Sequence, residues 1–309
     1  MQRIVVTGGA GFIGSHLVNK LIQDGSKVLV IDNLTMGSMN NLYSHHNLTL
    51  STKSILDDDI DFFFNGVDVV YHLAALTRPR ESFIYPEETT RVNVLGTLKV
   101  LNKSVQNGVK RFVFVSTTEL YGVQSKFPTP ETATPNPSSP YGVSKLVGEE
   151  YCKLYSKLHG IEYNIIRPFN VYGPKQSLKG GYAAAVPKFI NDALHNKESQ
   201  ITGDGSQSRD FIFVDDVVEL LTKAGESKVH GEIFNAGSGV STSINELHET
   251  ILNMTGKVIG HRHVDPVVEP PRTHGDISKA NKLMGWKPSV DLEKGLTITI
   301  RKIIDEQKN

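Results

Sequence analysis

A single cysteine, Cys152, stands in a chain of 309 residues. It excludes an internal disulfide and any cysteine-built zinc site, and it fits a reducing compartment. No run approaches the roughly eighteen apolar residues of a membrane span. Met1-Gln2-Arg3 leads into a short strand and not into a secretory segment. Excess charge is missing too, since Lys plus Arg and Asp plus Glu stand at 33 each. No global field would therefore gather nucleic acid or anionic lipid. Internal repeats and low-complexity tracts are also missing. The expectation is a soluble, cytoplasmic protein with neither nucleic-acid nor membrane partners. Hydrophobic residues make up 39% and charged residues 21%. Such a chain can bury a sizeable core, more comfortably as two intimate lobes than as one small domain.

What is present has a rhythm. Runs rich in Val, Ile and Phe recur at Arg3–Thr7, Lys27–Ile31, 68–74, 111–116 and 161–167, with helical windows between them. They are continuously apolar, as strands buried on both faces of a parallel sheet must be. Helical spacing marks 15–24, 93–107 and 141–159. Ser139-Pro140 opens the last of these, with serine as cap and proline at the first helical position. After about Arg167 proline and glycine become frequent, Gly180-Gly181 among them, and the rhythm loosens. Gly203-Asp204-Gly205 reads as a tight turn before a strand at 209–214, and Glu232–Ala236 as a strand returning to the main sheet. The fold class is α/β: a Rossmann-type doubly wound parallel sheet with a smaller α/β C-terminal substrate lobe. The cofactor domain is expected over 1–168, with the chain returning around 212–238, and the substrate lobe mainly over 169–309.

Thr7-Gly8-Gly9-Ala10-Gly11-Phe12-Ile13-Gly14 follows a buried strand and opens a helix. Gly9, Gly11 and Gly14 satisfy GxGxxG, and Gly8, Gly11 and Gly14 a related spacing. Such a turn lets backbone approach a pyrophosphate and points free helix N–H groups at the anion. The glycines alone are a weak signal, and a structural turn is the plain alternative. Asp32, ending the second strand, supplies the missing element. Its carboxylate would accept hydrogen bonds from an adenosine ribose and repel a 2′-phosphate, which favours NAD over NADP.

Tyr141 and Lys145 stand at i and i+4, on one face of their helix. A free tyrosine, with a pKa of about 10, is a poor base. A nearby ammonium and an oxidised nicotinamide ring would lower that value, so Tyr141 could take a hydroxyl proton as hydride leaves the same carbon. Lys145 would also hold the nicotinamide ribose. A packed tyrosine beside a solvated lysine is the plain alternative. Thr117, in the hydroxyl-rich end of the fifth strand, is the candidate third member, relaying a hydrogen bond to the reacting oxygen. Its plain alternative is a strand threonine bonded to its own backbone. His45-His46 and His261-Arg262-His263 lack partner ligands at metal spacing, so no metal is expected. His72 reads as a satisfied core residue. Asp57-Asp58-Asp59 with Asp61 reads as a helix start with a solvated face.

TGGAGFIG (7–14), HLAA (72–75), NVLGT (93–97), STTELYG (116–122), YGVSK (141–145), RPFNVYGP (167–174), GDGSQSRDFIFVDDV (203–217) and DISKANKLMGWKP (276–288) together resemble the extended short-chain dehydrogenase/reductase family. Within it the likeness is to nucleotide-sugar 4-epimerases of the UDP-glucose 4-epimerase type, along nearly the whole chain. The resemblance implies NAD as a retained cofactor. Phe12 and Ile13 would lie by the pyrophosphate, and Asp32 and Asn33 by the adenosine. Leu73, Ala74, Ala75 and Asn93 would line the channel, and Phe169 would approach the nicotinamide. Asn170 and Arg209 would grip the diphosphate of a UDP-hexose, Arg209 through its guanidinium fork. Tyr141 would take the C4 hydroxyl proton, and the 4-keto sugar would turn over before hydride returns. A homodimer is implied, built on helices near 93–107 and 141–159.

Several positions depart from the family pattern. An Asp-Ile pair near adenine is replaced by Ser54-Ile55, so Ser54 must substitute or the contact is lost. Thr202 stands where an aromatic often precedes GDG. Pro266-Val267-Val268-Glu269 lacks the usual arginine, leaving Arg272 as a replacement phosphate contact. Thr273 falls at a position that is bulky in relatives excluding 2-acetamido sugars; here it is small, which predicts tolerance of them beside UDP-glucose or UDP-galactose. Glu119 keeps a rival open. Nucleotide-sugar 4,6-dehydratases and UDP-glucuronate decarboxylases carry a glutamate at this strand end, though Thr118 cannot serve as a carboxylic acid. A catalytically silent NAD-binding regulatory protein is the remaining alternative, opposed by the intact Thr117, Tyr141 and Lys145.

Overall fold

The computed structural model describes residues 1–177, 184–266 and 269–308. Gly180-Gly181 and Val267-Val268 lie outside the described residues. In chain order, β1 (Arg3–Thr7), α1 (Phe12–Gln23), β2 (Lys27–Ile31), β3 (Leu48–Ser51) and β4 (Val69–His72) come first. Two short helices follow, α2 (Pro79–Ile84) and α3 (Pro86–Thr90). A π-helical turn at Arg91–Leu95 then runs into α4 (Gly96–Gln106), so the expected helix begins off register. Next come β5 (Arg111–Val115), α5 (Pro140–His159) and β6 (Glu162–Pro168). The later chain forms β7 (Asn170–Tyr172), α6 (Ala185–Leu194), β8 (Ser199–Thr202), β9 (Ser208–Phe213), α7 (Val214–Glu226) and β10 (Glu232–Ala236). It ends with β11 (Ser241–Ser243), α8 (Ile244–Thr255), β12 (His261–Val264), α9 (Ser278–Met284) and α10 (Leu292–Lys308).

Seven strands form one parallel sheet in the order β10-β6-β5-β4-β1-β2-β3. This is a Rossmann-type α/β fold. Alternation along β1 separates two cores. Ile4 and Val6 face Val30, Tyr71, Leu17 and Leu21, while Val5 faces Ile31, Val70, Phe112 and Phe114. Both faces are covered, which is why the strands read as unbroken apolar runs. The strand order reverses between β1 and β4, and the crevice at their carboxyl ends is the expected ligand position in such sheets.

The smaller elements are carried by the return of the chain. β9 pairs in parallel with β7 and antiparallel with β11, and β8 pairs with β12. α7 then packs beside α1 and delivers β10 to the edge of the main sheet, alongside β6. Asp216, buried in α7, accepts hydrogen bonds from Ser289 N and Oγ at 2.8 Å, and its carbonyl accepts one from the Trp286 indole at 3.0 Å. That clamp docks the segment between α9 and α10, with Trp286 wholly buried. No described helix is long and apolar enough to cross a membrane.

Candidate active site

The glycine turn is built by contact. Gly8 adopts a φ of 71°, and a Cβ on it would lie 2.7 Å from the Ala74 amide. A Cβ on Gly14 would lie 2.1 Å from the Gly8 carbonyl oxygen. Strand, turn and helix are thus as close as backbone permits. α1 has no side-chain cap, so its first amides remain available to an anion, as the pyrophosphate reading requires. Asp32 is buried beside the turn, accepting from Ala10 N at 2.9 Å and Leu34 N at 2.8 Å. Its neighbour Asn33 caps a short turn through Thr35 N.

Ser54 is turned inward on its own loop: its hydroxyl accepts from Leu56 N, and its amide donates to Asp57. Ile55 is buried against Gly96. Leu73 and Ala74 are tied to Thr7 by their backbone N–H groups, and Ala75 follows them half-buried. Asn93 is buried and spends its amide within the protein. Its Oδ1 accepts from Leu76 N at 2.8 Å, and its Nδ2 donates to Leu76 O and to Ser144 Oγ at 3.0 Å each. It locks the loop after β4 onto α5. His72 lies between Thr7 Oγ1 at 2.7 Å and Thr97 Oγ1 at 2.9 Å. Burial first, then the Lys145 charge, push its pKa down to about 3, so it is a neutral core residue.

Helix α5 carries the tyrosine and lysine. Ser139 caps it by accepting from Gly142 N at 3.0 Å, Pro140 occupies the first position, and Gly160 ends it at a φ of 73°. Its first turn is fixed laterally, because Tyr141 N donates to Ser82 Oγ at 3.1 Å. Tyr141 and Lys145 are both buried. Thr117 stands beside the Tyr141 phenol, close enough to act on its ionisation, and its hydroxyl accepts from Glu119 N at 3.2 Å. In the protein alone, burial raises the phenol pKa well above its ordinary value, with Thr117 opposing. The lowered value expected from sequence concerns the phenol with oxidised nicotinamide beside it; in the polypeptide itself burial is the largest influence. Burial also pushes Lys145 down, to about 8. Its Nζ sits 4.6 Å above the Phe114 ring and has no hydrogen-bond partner among the described residues. The Ser116 hydroxyl, at the end of β5, is likewise buried without one. An ammonium and a hydroxyl left unpaired beside a glycine cradle are what a bound ribose and nicotinamide amide would satisfy, so the residues present fit NAD.

Thr117 also opens onto a cleft. Glu119, Phe169, Asn170, Arg209, Arg272 and Thr273 line it with Thr117, so every residue assigned to substrate from sequence faces one cavity. Its volume is about 110 Å³, below the roughly 300–1,000 Å³ of ligand clefts. Glu269 crosses it, meeting Arg209 at 2.7 Å and Arg80 at 3.5 Å. Burial, and then Glu269, push the Glu119 carboxyl up, with Arg209 opposing. The Thr273 hydroxyl donates to Asn170 Oδ1 at 3.4 Å and accepts from Asp210 N at 3.2 Å. Arg272 lies 5.0 Å over Phe127 and donates to His274. Behind the wall, Asp210 accepts from Ser238, Gly239 and Gly275, fixing the glycine against which Phe169 packs.

Sequence reasoning did not assign Ser82, Phe127, Asp210 or Glu269 to the site. Glu269 carried a signal, a lone acid in a proline-flanked loop three residues before an expected phosphate ligand, Arg272. The others carried none that periodicity or spacing could expose. Among the described residues no group of His, Cys, Asp and Glu could hold a metal.

Residues 4–237 match the family described as the NAD dependent epimerase/dehydratase family. The chain belongs to that family. It is NAD-dependent, and when bound NAD supplies the hydride acceptor and donor. The structure is similar to that of a UDP-glucose 4-epimerase from Thermotoga maritima with UDP-glucose, with a TM-score of 0.95, 38% identity, and coverage of 99% of this chain and 100% of that one. A UDP-N-acetylglucosamine 4-epimerase from Methanobrevibacter ruminantium, in complex with UDP-N-acetylmuramic acid, is similar at a TM-score of 0.95 and 35% identity over 99% of each chain. UDP-glucuronic acid decarboxylase 1 of Xenopus tropicalis is 35% identical, over 100% of this chain and 74% of that protein.

Proposed function

We propose that this enzyme epimerises C4 of a UDP-hexose through a transient 4-keto sugar. The supporting observation is Thr117, which stands beside the Tyr141 phenol and lines the cleft that holds Asn170, Arg209, Arg272 and Thr273. With NAD bound to accept the C4 hydride, Tyr141 would take the O4 proton, Thr117 would relay through its hydroxyl, and Lys145 together with the oxidised ring would favour the phenolate. After the 4-keto sugar turns over, hydride would return to the opposite face of C4 and Tyr141 would return the proton to O4, so substrate and product are isomers. Asn170 and Arg209 hold the diphosphate, for which Glu269 must give way, and Arg272 adds a second cation. Residues 1–168 with the return near 212–238 serve the cofactor, and 169–309 mainly serve the sugar nucleotide.

UDP-glucose and UDP-galactose are the substrate pair of this reading. The 2-acetamido sugars are admitted as well, because Thr273 is small and tied back to Asn170. The working unit is a homodimer. Val143, Leu154 and Leu158 on α5, with Leu95 beside α4, leave apolar side chains exposed on neighbouring helices. A cytoplasmic location rests on the lone, buried Cys152.

The test is incubation with a panel of UDP-sugars, read by NMR. Equal-mass C4 epimers are expected, and Tyr141→Phe should abolish conversion with NAD still bound. Glu119, inside the cleft beside Thr117, supports a second reading as a 4,6-dehydratase or decarboxylase. Loss of water or of carbon dioxide would establish it in place of the first. No turnover at all with NAD bound would favour the regulatory alternative.

A further inference from the structure

Immediately after Asp32 the chain forms a strap, residues 33–43, that lies across the glycine turn. Ser38 N and Asn41 Nδ2 both donate to the Ala10 carbonyl, at 3.0 and 2.9 Å. Gly37 sits so near Ala10 that a Cβ would approach its carbonyl carbon to 2.9 Å. The near end is held by Asp32, which binds Ala10 N and Leu34 N with its two carboxylate oxygens. The strap therefore borders the cradle on the side where the adenosine ribose belongs.

Its far end is held from a different part of the chain. Lys175, three residues beyond β7, donates from Nζ to the Asn41 carbonyl at 2.6 Å and lies 4.9 Å above the Tyr43 ring. The preceding residue is anchored on the cradle helix itself, since His16 Nε2 meets the Pro174 carbonyl at 3.1 Å while its Nδ1 meets Asp215 at 3.2 Å. Lys175 adopts a φ of 66°, a conformation unfavourable for a residue with a side chain and maintained only where surroundings dictate it. Its charged neighbours are Lys302 and Glu306 on α10. A half-buried ammonium committed to a carbonyl and an aromatic face is a strong, directional contact.

We propose that Lys175 is a positioning residue for cofactor retention, a bolt that holds the strap down and must part from Asn41 and Tyr43 before NAD can leave. This rests on the family's NAD dependence and not on the identity of the sugar. Enzyme loaded with radiolabelled NAD would be chased with excess unlabelled NAD. Loss of one charged hydrogen bond predicts release roughly tenfold faster from Lys175→Ala. Lys175→Arg, keeping cation and donor, should stay within about threefold of wild type. UDP affinity should be unchanged in both, since neither Lys175 nor the strap lines the sugar-nucleotide cleft. Unaltered release from Lys175→Ala would overturn the proposal. So would equal acceleration in Lys175→Arg, or faster release accompanied by a matching loss in UDP affinity, which would mark a merely structural lysine.

Discussion

Lys145 should make the NAD-free protein less stable, and the size of the effect follows from its surroundings. The ammonium is buried on α5 over Phe114, without a hydrogen-bond partner among the described residues, and its pKa falls from 10.5 to about 8. A shift of this size corresponds to about 3 kcal/mol, at about 1.36 kcal/mol per unit. The sign follows from linkage. Below pH 8 both folded and unfolded chains hold the proton, and the folded one carries the full desolvation cost. Between pH 8 and 10.5 the folded chain releases its proton first, so stability rises with pH. Lys145→Met fills similar space against Phe114 and lacks this dependence. Stripped of NAD, the variant should be more stable than wild type by about 3 kcal/mol at pH 7, with a gap that closes as pH passes from 8 to 10. Urea unfolding read by the sole tryptophan, Trp286, which is fully buried, measures both quantities. Buried groups not coupled to Lys145, such as Tyr71 and Tyr172, are common to both proteins and cancel in the difference, whereas Cys152 is coupled to it and is replaced by alanine in both. Equal stability at pH 7, or a gap constant to pH 10, would refute the reasoning. The variant should at the same time hold NAD poorly, since the partner proposed for this cation is the cofactor ribose.

Gly14→Ala places a Cβ 2.1 Å from a backbone carbonyl with no flexible side chain to yield, so the purified variant should carry little NAD by chromatography of the denatured protein; full occupancy would contradict the cradle geometry. Glu149→Gln leaves the buried Arg167 guanidinium without the carboxylate it meets at 2.9 and 2.6 Å, and should cost about 3 kcal/mol in urea unfolding. A loss below about 1 kcal/mol would show that Tyr121 and the Glu131 carbonyl suffice for Arg167. Thr273→Tyr should cut turnover of UDP-N-acetylglucosamine at least tenfold more than that of UDP-glucose, and parallel losses on both sugars would remove Thr273 as the selector.

Much of the sheet was legible because burial on both faces leaves a strand no choice of residue type. Arg3–Thr7, Lys27–Ile31 and Glu232–Ala236 fall at the boundaries read from their apolar runs. The start of α5 was legible for a different reason, since Ser139 and Pro140 are local determinants that act within one turn. The beginning of α4 was not. A π turn at Arg91–Leu95 precedes it, and the buried Asn93 within that turn is fixed by Leu76 and Ser144, contacts made across the fold. Residues that position the chemistry share this character. Ser82 holds the Tyr141 amide, and Asp210 gathers two loop segments, at 238–239 and at 275, yet each is an ordinary polar residue in its own sequence neighbourhood.

The distinction has a physical root in how the two kinds of site residue are held. Glycines, Asp32 and the tyrosine–lysine pair are recognisable because close backbone approach, ribose binding and proton transfer each admit few residue types at a given spacing. Glu269 and Lys175 act by reaching across the fold from loops, one onto Arg209 and the other onto Asn41 and Tyr43, and any long charged side chain there would look the same in sequence. Glu269 lines the cleft and Lys175 reaches the strap beside the glycine turn, and both occupy groups that a ligand or its covering strap must engage. Binding of sugar nucleotide and loss of cofactor are therefore each opposed by one charged contact that the folded chain makes with itself. Removing either contact should shift a binding equilibrium or a release rate and leave the chemistry at Tyr141 intact.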